Sequence, residues 1–166
     1  MASSPAELEA WLRAQHEQGY GTRLTAGYCW PWSDPRRDGT LVPDVRIGDW
    51  ERPWNLKGDR SVGGAPLWAK DPAGFGPVGC IYTAQGFEYD YAGVIIVPDL
   101  VWRDGGWLAV REGSKDPAFR SRTAVSDTEF DRSVRQVCKV LLTRGMRVVG
   151  IYCTDKETRA LLGSLV

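Results

Sequence analysis

Two short polar stretches carry the side chains best suited to chemistry. Tyr82-Thr83-Ala84-Gln85-Gly86-Phe87-Glu88-Tyr89-Asp90 follows an apolar run, and Thr143-Arg144-Gly145 closes an amphipathic one. If a strand ends at Thr83 and a glycine-bearing turn follows, Thr83, Gln85 and Glu88 stand at the carboxyl edge of a sheet, where ligands of open α/β sheets sit. Gly86 would let the backbone approach a ligand or take a positive φ. The same spacing fits a plain strand-to-turn connection in which Gln85 and Glu88 cap a short helix. Arg144 offers a planar fork that matches phosphate oxygens. Taken alone, it also fits a cation favoured by the negative end of a helix, with Gly145 as the left-handed stop.

Other reactive groups are less organised. Asp90, Asp99 and Asp116 are carboxylates without metal-ligand spacing, and read as solvated or capping acids. The sole histidine, His16, reads as a surface residue of the first helix, and no Gly-x-Ser-x-Gly elbow exists for a serine nucleophile. Cys29, Cys80, Cys138 and Cys153 form no Cys-x-x-Cys pair and read as reduced, packed thiols. No Gly-x-x-x-x-Gly-Lys-Ser/Thr phosphate loop occurs in the 166 residues. Arg132, Arg135, Lys139 and Arg144 could track a phosphate backbone along one helix, or complement its dipole after Asp127, Glu129 and Asp131.

The elements that must position these groups are legible from their ends. Ser4-Pro5-Ala6-Glu7, Ser126-Asp127-Thr128-Glu129 and Thr154-Asp155-Lys156-Glu157 read as capping boxes opening three helices. Continuous apolar runs at 23–29, 78–83, 92–97 and 148–153 read as strands covered on both faces. Residues 100–111, around Asp104-Gly105-Gly106, read as a β-hairpin. Five of the eight tryptophans and five prolines fall between Trp30 and Trp68, which reads as an irregular but packed excursion. The order predicts one α/β domain over residues 1–166, three-layered, with a mainly parallel sheet.

Bulk properties bound the partners. Apolar content is 43%, charged content 25% and formal net charge zero, so no global field draws the chain to nucleic acid or to an anionic membrane. No apolar run approaches a membrane span, and the N-terminus has no signal-like core, which predicts a cytoplasmic protein.

The two polar stretches resemble the Thr-x-Gln-Gly-x-Glu and Leu-Thr-Arg motifs that close a superfamily 1 type helicase motor. The chain as a whole is similar to the C-terminal part of a bacterial family of Schlafen-like DNA/RNA helicase-domain proteins. The matching stretches are 23–33, 44–55, 78–90, 98–103 and 139–146. The resemblance implies two RecA-like lobes with ATP in the cleft between them, this chain supplying the C-terminal lobe without the phosphate loop or the magnesium-binding acid. Glu88 then matches the ribose contact, Gln85 and Gly86 the coupling to nucleic acid, and Arg144 the γ-phosphate contact, with Arg23 a possible second phosphate arginine. ATP and magnesium would be bound only with a complementary lobe, in trans, and DNA or RNA would be the polymer. A non-catalytic module that docks on protein or nucleic acid is the alternative. The chain departs from relatives in carrying Gln136 and Cys138 where they tend to carry asparagine and tyrosine.

Overall fold

Ser4 opens the first helix, α1 (Pro5–Glu17). Its hydroxyl accepts from the Glu7 N–H at 3.1 Å, and Pro5 occupies a position where no N–H is needed. Glu7 turns its carboxylate to the Ser3 N–H at 2.7 Å, so only half of the expected box forms. In α3 (Asp127–Leu142) both halves form between Ser126 and Glu129. The last helix, α4 (Lys156–Gly163), is capped one residue later than expected. Asp155, not Thr154, accepts from the Thr158 N–H at 2.8 Å, and Arg103 pairs with both oxygens of that carboxylate. The computed structural model describes residues 1–56 and 68–165.

These helices sandwich a sheet of three parallel strands in the order β1 (Thr22–Ala26), β4 (Tyr89–Ile96), β7 (Gly145–Cys153). Alternate side chains of β4 serve opposite faces. Ile95 and Val97 join Leu8 and Leu12 of α1, Leu24, Ala26 and Tyr152 on one side. Ala92, Val94 and Ile96 meet Leu141 of α3 and Cys153 on the other. Three layers and a parallel sheet are therefore as the sequence predicts. Among the described residues, no helix is long and apolar enough to cross a membrane.

The strand expected at 78–83 is cut short. Val78 and Gly79 bridge in parallel to Trp54 and Thr25, and then the chain turns into a one-turn helix, α2 (Ile81–Ala84). Thr83 is the reason. Its Oγ1 accepts from the Cys80 N–H at 3.0 Å and lies 2.7 Å from Asn55 Oδ1, a local cap that competes with further sheet pairing.

The tryptophan-rich excursion is packed, as expected, with Trp54 and Trp68 fully buried. It also holds a small antiparallel hairpin that periodicity did not reveal, β2 (Val45–Ile47) with β3 (Trp50–Arg52). Residues 57–67 of this stretch, including Pro66, lie outside the described residues. Glu9 of α1 ties the hairpin down. Its carboxylate, 7% exposed, accepts from Trp50 Nε1 at 2.8 Å and from Arg52 and Arg13. The second hairpin, β5 (Leu100–Arg103) with β6 (Gly106–Ala109), forms where expected. Asp104 and Gly105 both take positive φ, the turn that suits twisted strands.

Candidate functional site

In the parallel ladder, Tyr89 of β4 is the partner of Gly145 of β7. Glu88 and Arg144 are the residues immediately before them, so both stand at the amino edge of the sheet on neighbouring strands. The Tyr89 N–H donates to the Arg144 carbonyl at 2.8 Å, which fixes the two backbones together. The expectation of a carboxyl-edge site for Glu88 is therefore corrected. The shortened strand at 78–79 moves the turn, and the chain from α2 runs back to the start of β4.

Gln85 and Gly86 form the tip of that return. Gln85 has φ −62 and ψ 140, Gly86 has φ 81, and the Phe87 N–H donates to the Ala84 carbonyl at 3.2 Å. This is a type II turn, which demands glycine or asparagine at its third position. Gln85, Gly86 and Glu88 are all exposed. Thr83 does not join them. It lies with Cys80 and Asn55, level with the carboxyl end of β1, and its hydroxyl is committed to the cap of α2.

Arg144 is partly buried and folded back. Its Nε donates to the Val140 carbonyl at 3.0 Å, one terminal nitrogen to the Phe87 carbonyl at 3.4 Å, and the other to Thr143 Oγ1 at 3.1 Å. All three acceptors are neutral. None of these bonds pairs the guanidinium with a counter-charge, and an anion could replace them.

A second guanidinium lies beneath. Arg23 of β1 is 6% exposed and donates to the carbonyls of Trp68 at 3.0 Å, Thr22 at 2.7 Å and Asp71 at 2.8 Å. Burial lowers its pKa, opposed by Tyr89 and Asp71. Its donors face inward and brace the backbone around Trp68, so Arg23 does not present the phosphate-facing fork that the sequence expectation allowed. Tyr89 sits between the two arginines. Burial raises its hydroxyl to about 12, against the pull of Arg23 and Arg144. That hydroxyl is buried and finds no hydrogen-bond partner among the described residues. Nothing in the spacing of the motif marked Tyr89, because its role depends on its pairing with Gly145 on another strand, far along the chain.

The expected basic stripe on α3 is partly spent on structure. Arg135 pairs with Asp131 at 2.7 Å and donates to the Trp107 carbonyl at 2.6 Å. Arg147 pairs with Asp90 at 3.1 Å and stacks over Tyr20. Asp90 also accepts from the Gly21 N–H, so it is a structural acid. Asp99 is buried rather than solvated, whereas Asp116, also buried, keeps to the capping reading. Asp116 does cap a turn, accepting from the Ala118 N–H at 2.9 Å.

A parallel sheet with helices on both faces, and a glycine turn, a carboxylate and an arginine at one edge, define an α/β unit compatible with a RecA-like lobe. The chain belongs to the Schlafen group 3 DNA/RNA helicase domain family, whose model matches residues 1–155. No curated protein and no solved structure matches it.

Proposed function

We propose that this chain is the C-terminal, RecA-like lobe of a superfamily 1 type helicase motor. It contributes Glu88 and Arg144 to a nucleotide whose phosphates are held by another lobe, and it does not hydrolyse ATP alone. The observation that carries the reading is the register of Tyr89 with Gly145, which brings Glu88 and Arg144 to one edge of adjacent strands. The chemistry of the donors fits a nucleotide. An exposed carboxylate can accept from ribose hydroxyls, and an arginine with only neutral partners can turn to phosphate oxygens. No group of three or more His, Cys, Asp or Glu converges among the described residues, so magnesium would have to be held mainly by the nucleotide phosphates and the other lobe. Bound MgATP would supply the phosphoryl group. This chain's part is to orient the ribose, to place one positive charge near the phosphates, and to couple the Gln85-Gly86 turn to DNA or RNA.

The test is calorimetry with MgATP and turnover in the same sample, for the chain alone and then mixed with a phosphate-loop lobe of the same family. The chain alone is expected neither to bind nor to turn over. The mixture is expected to hydrolyse ATP, and Arg144→Ala to slow it by about 10³-fold or more. Turnover by the chain alone, abolished in Arg144→Ala, would overturn the proposal.

A further inference from the structure

The opposite, carboxyl end of the sheet holds a second feature. Tyr28, two residues beyond β1, Trp32 in the excursion, Tyr82 of α2, and Asp116 with Pro117 and Ala118 line an open cleft of about 320 Å³. The two tyrosines meet edge to face, with centroids 6.1 Å apart, and Tyr28 packs the same way on Trp54 at 5.5 Å. Tyr28 is held in place because its carbonyl accepts from the Lys115 N–H at 2.7 Å. Tyr82, by contrast, is 50% exposed, a large aromatic face left toward solvent.

The cleft has one charged lining group. Asp116 is 6% exposed and accepts from the Tyr82 hydroxyl at 2.8 and 3.1 Å and from the Ala118 N–H. A carboxylate offers about four acceptor positions, and these bonds leave room for another donor on Oδ2. No cation lines the cleft. Arg111, Lys115 and Arg120 line the neighbouring pocket on the other side of Asp116, not this cleft.

We propose that the cleft framed by Tyr28, Trp32, Tyr82 and Asp116 receives the guanidinium of an arginine side chain from a partner protein. The planar cation stacks on the exposed Tyr82 ring and donates to Asp116. A nucleobase would also stack, but it would bring a phosphate toward Asp116, the charged group that lines this cleft. This site is separate from the amino-edge group, and it stands or falls independently of the helicase reading.

The probe is N-acetyl-arginine methylamide, titrated into the full chain while backbone and indole N–H resonances are followed by NMR. The matched neutral probe is N-acetyl-citrulline methylamide, and guanosine monophosphate is the third. The arginine probe is expected to shift Trp32, Tyr82 and Ala118 saturably, at least about tenfold more tightly than citrulline, a factor worth 1.4 kcal/mol. Tyr82→Leu removes the stacking face and is expected to weaken the arginine probe by about threefold or more. Tyr82→Phe keeps the ring and frees the carboxylate, so binding is expected to persist or tighten. This variant guards against loss through misfolding. Equal shifts from the citrulline probe, no saturable shift from arginine, or guanosine monophosphate alone binding at these residues would each overturn the proposal.

Discussion

Asp99 shows how far one residue departs from its bulk reading. It follows Pro98 just beyond β4, is 4% exposed, and has an Oδ1 with no hydrogen-bond partner among the described residues. Burial pushes its carboxyl up to about 6, with the Cys29 thiol holding it partly down. Between its ordinary value of 3.8 and about 6, the folded state binds more protons than the unfolded chain, so stability falls as pH rises through that window. The full effect corresponds to about 3 kcal/mol. Asp99→Asn is expected to flatten the decline between pH 4 and 6, measured by urea unfolding at several pH values. A wild-type midpoint that rises across this window, with no change in the variant, would show that Asp99 is charged and paired in the fold. The sequence revealed Asp99 as an acid but not its burial. That burial comes from packing at the ends of β1 and β4, which are joined only in three dimensions. Tyr89 escaped the sequence reading for the same reason. Glu88 and Arg144 were legible as residues of one edge, but not that it is the amino edge of the sheet.

At the scale of elements, local rules were readable where a side chain acts on its own backbone. Ser126 and Glu129 formed the expected box, and Asp104-Gly105 the expected turn, because each needs only a few neighbouring residues. Reading failed where two local preferences competed. The apolar run at 78–83 looked like one strand, yet the Thr83 cap on Cys80 ended it after Gly79. Two glycines flank this helix and require glycine for different reasons. At Gly86 the φ of 81 is costly for other residues, but a Cβ would meet nothing within 4 Å. At Gly79 a Cβ would come within 2.4 Å of the Trp68 ring, which is fully buried and cannot retreat. Gly86→Ala is expected to lower stability by about 1 kcal/mol, with Gly86→Asn recovering part of it. Gly79→Ala is expected to cost about 2–3 kcal/mol. Thermal midpoints should separate the two by several degrees, at about 2–4 °C per kcal/mol for a chain of this size. A smaller loss for Gly79→Ala than for Gly86→Ala would refute the steric argument.

At the scale of the molecule, one buried acid ties the tryptophan-rich excursion to the helix-and-sheet body. Burial raises the Glu9 pKa, but bonds from Arg52, Trp50 and Arg13 outweigh it and the net value is lowered. The stability from these bonds is present above the ordinary carboxylate range and is lost as pH falls through it. Glu9→Gln is expected to cost about 1–2 kcal/mol. Amide exchange should quicken in the β2–β3 hairpin while β4 stays protected. Equal loss in both would mean that the excursion and the sheet unfold as one. The parallel pairing of β1 with β4 carries a consequence for how the chain is made. The Gly21–Asp90 bond closes a span of 69 residues, and closing so long a loop costs about 4 kcal/mol in chain entropy before any ladder forms. As the polypeptide leaves the ribosome, β1 (ending at Ala26) emerges well before its neighbour β4 (Tyr89–Ile96) in the three-stranded sheet, and must wait for it while a large part of the chain is made. Folding is then limited by this late encounter, so synthesis, rather than the finished structure, is the stage at which the protein is most exposed to chaperones and to aggregation.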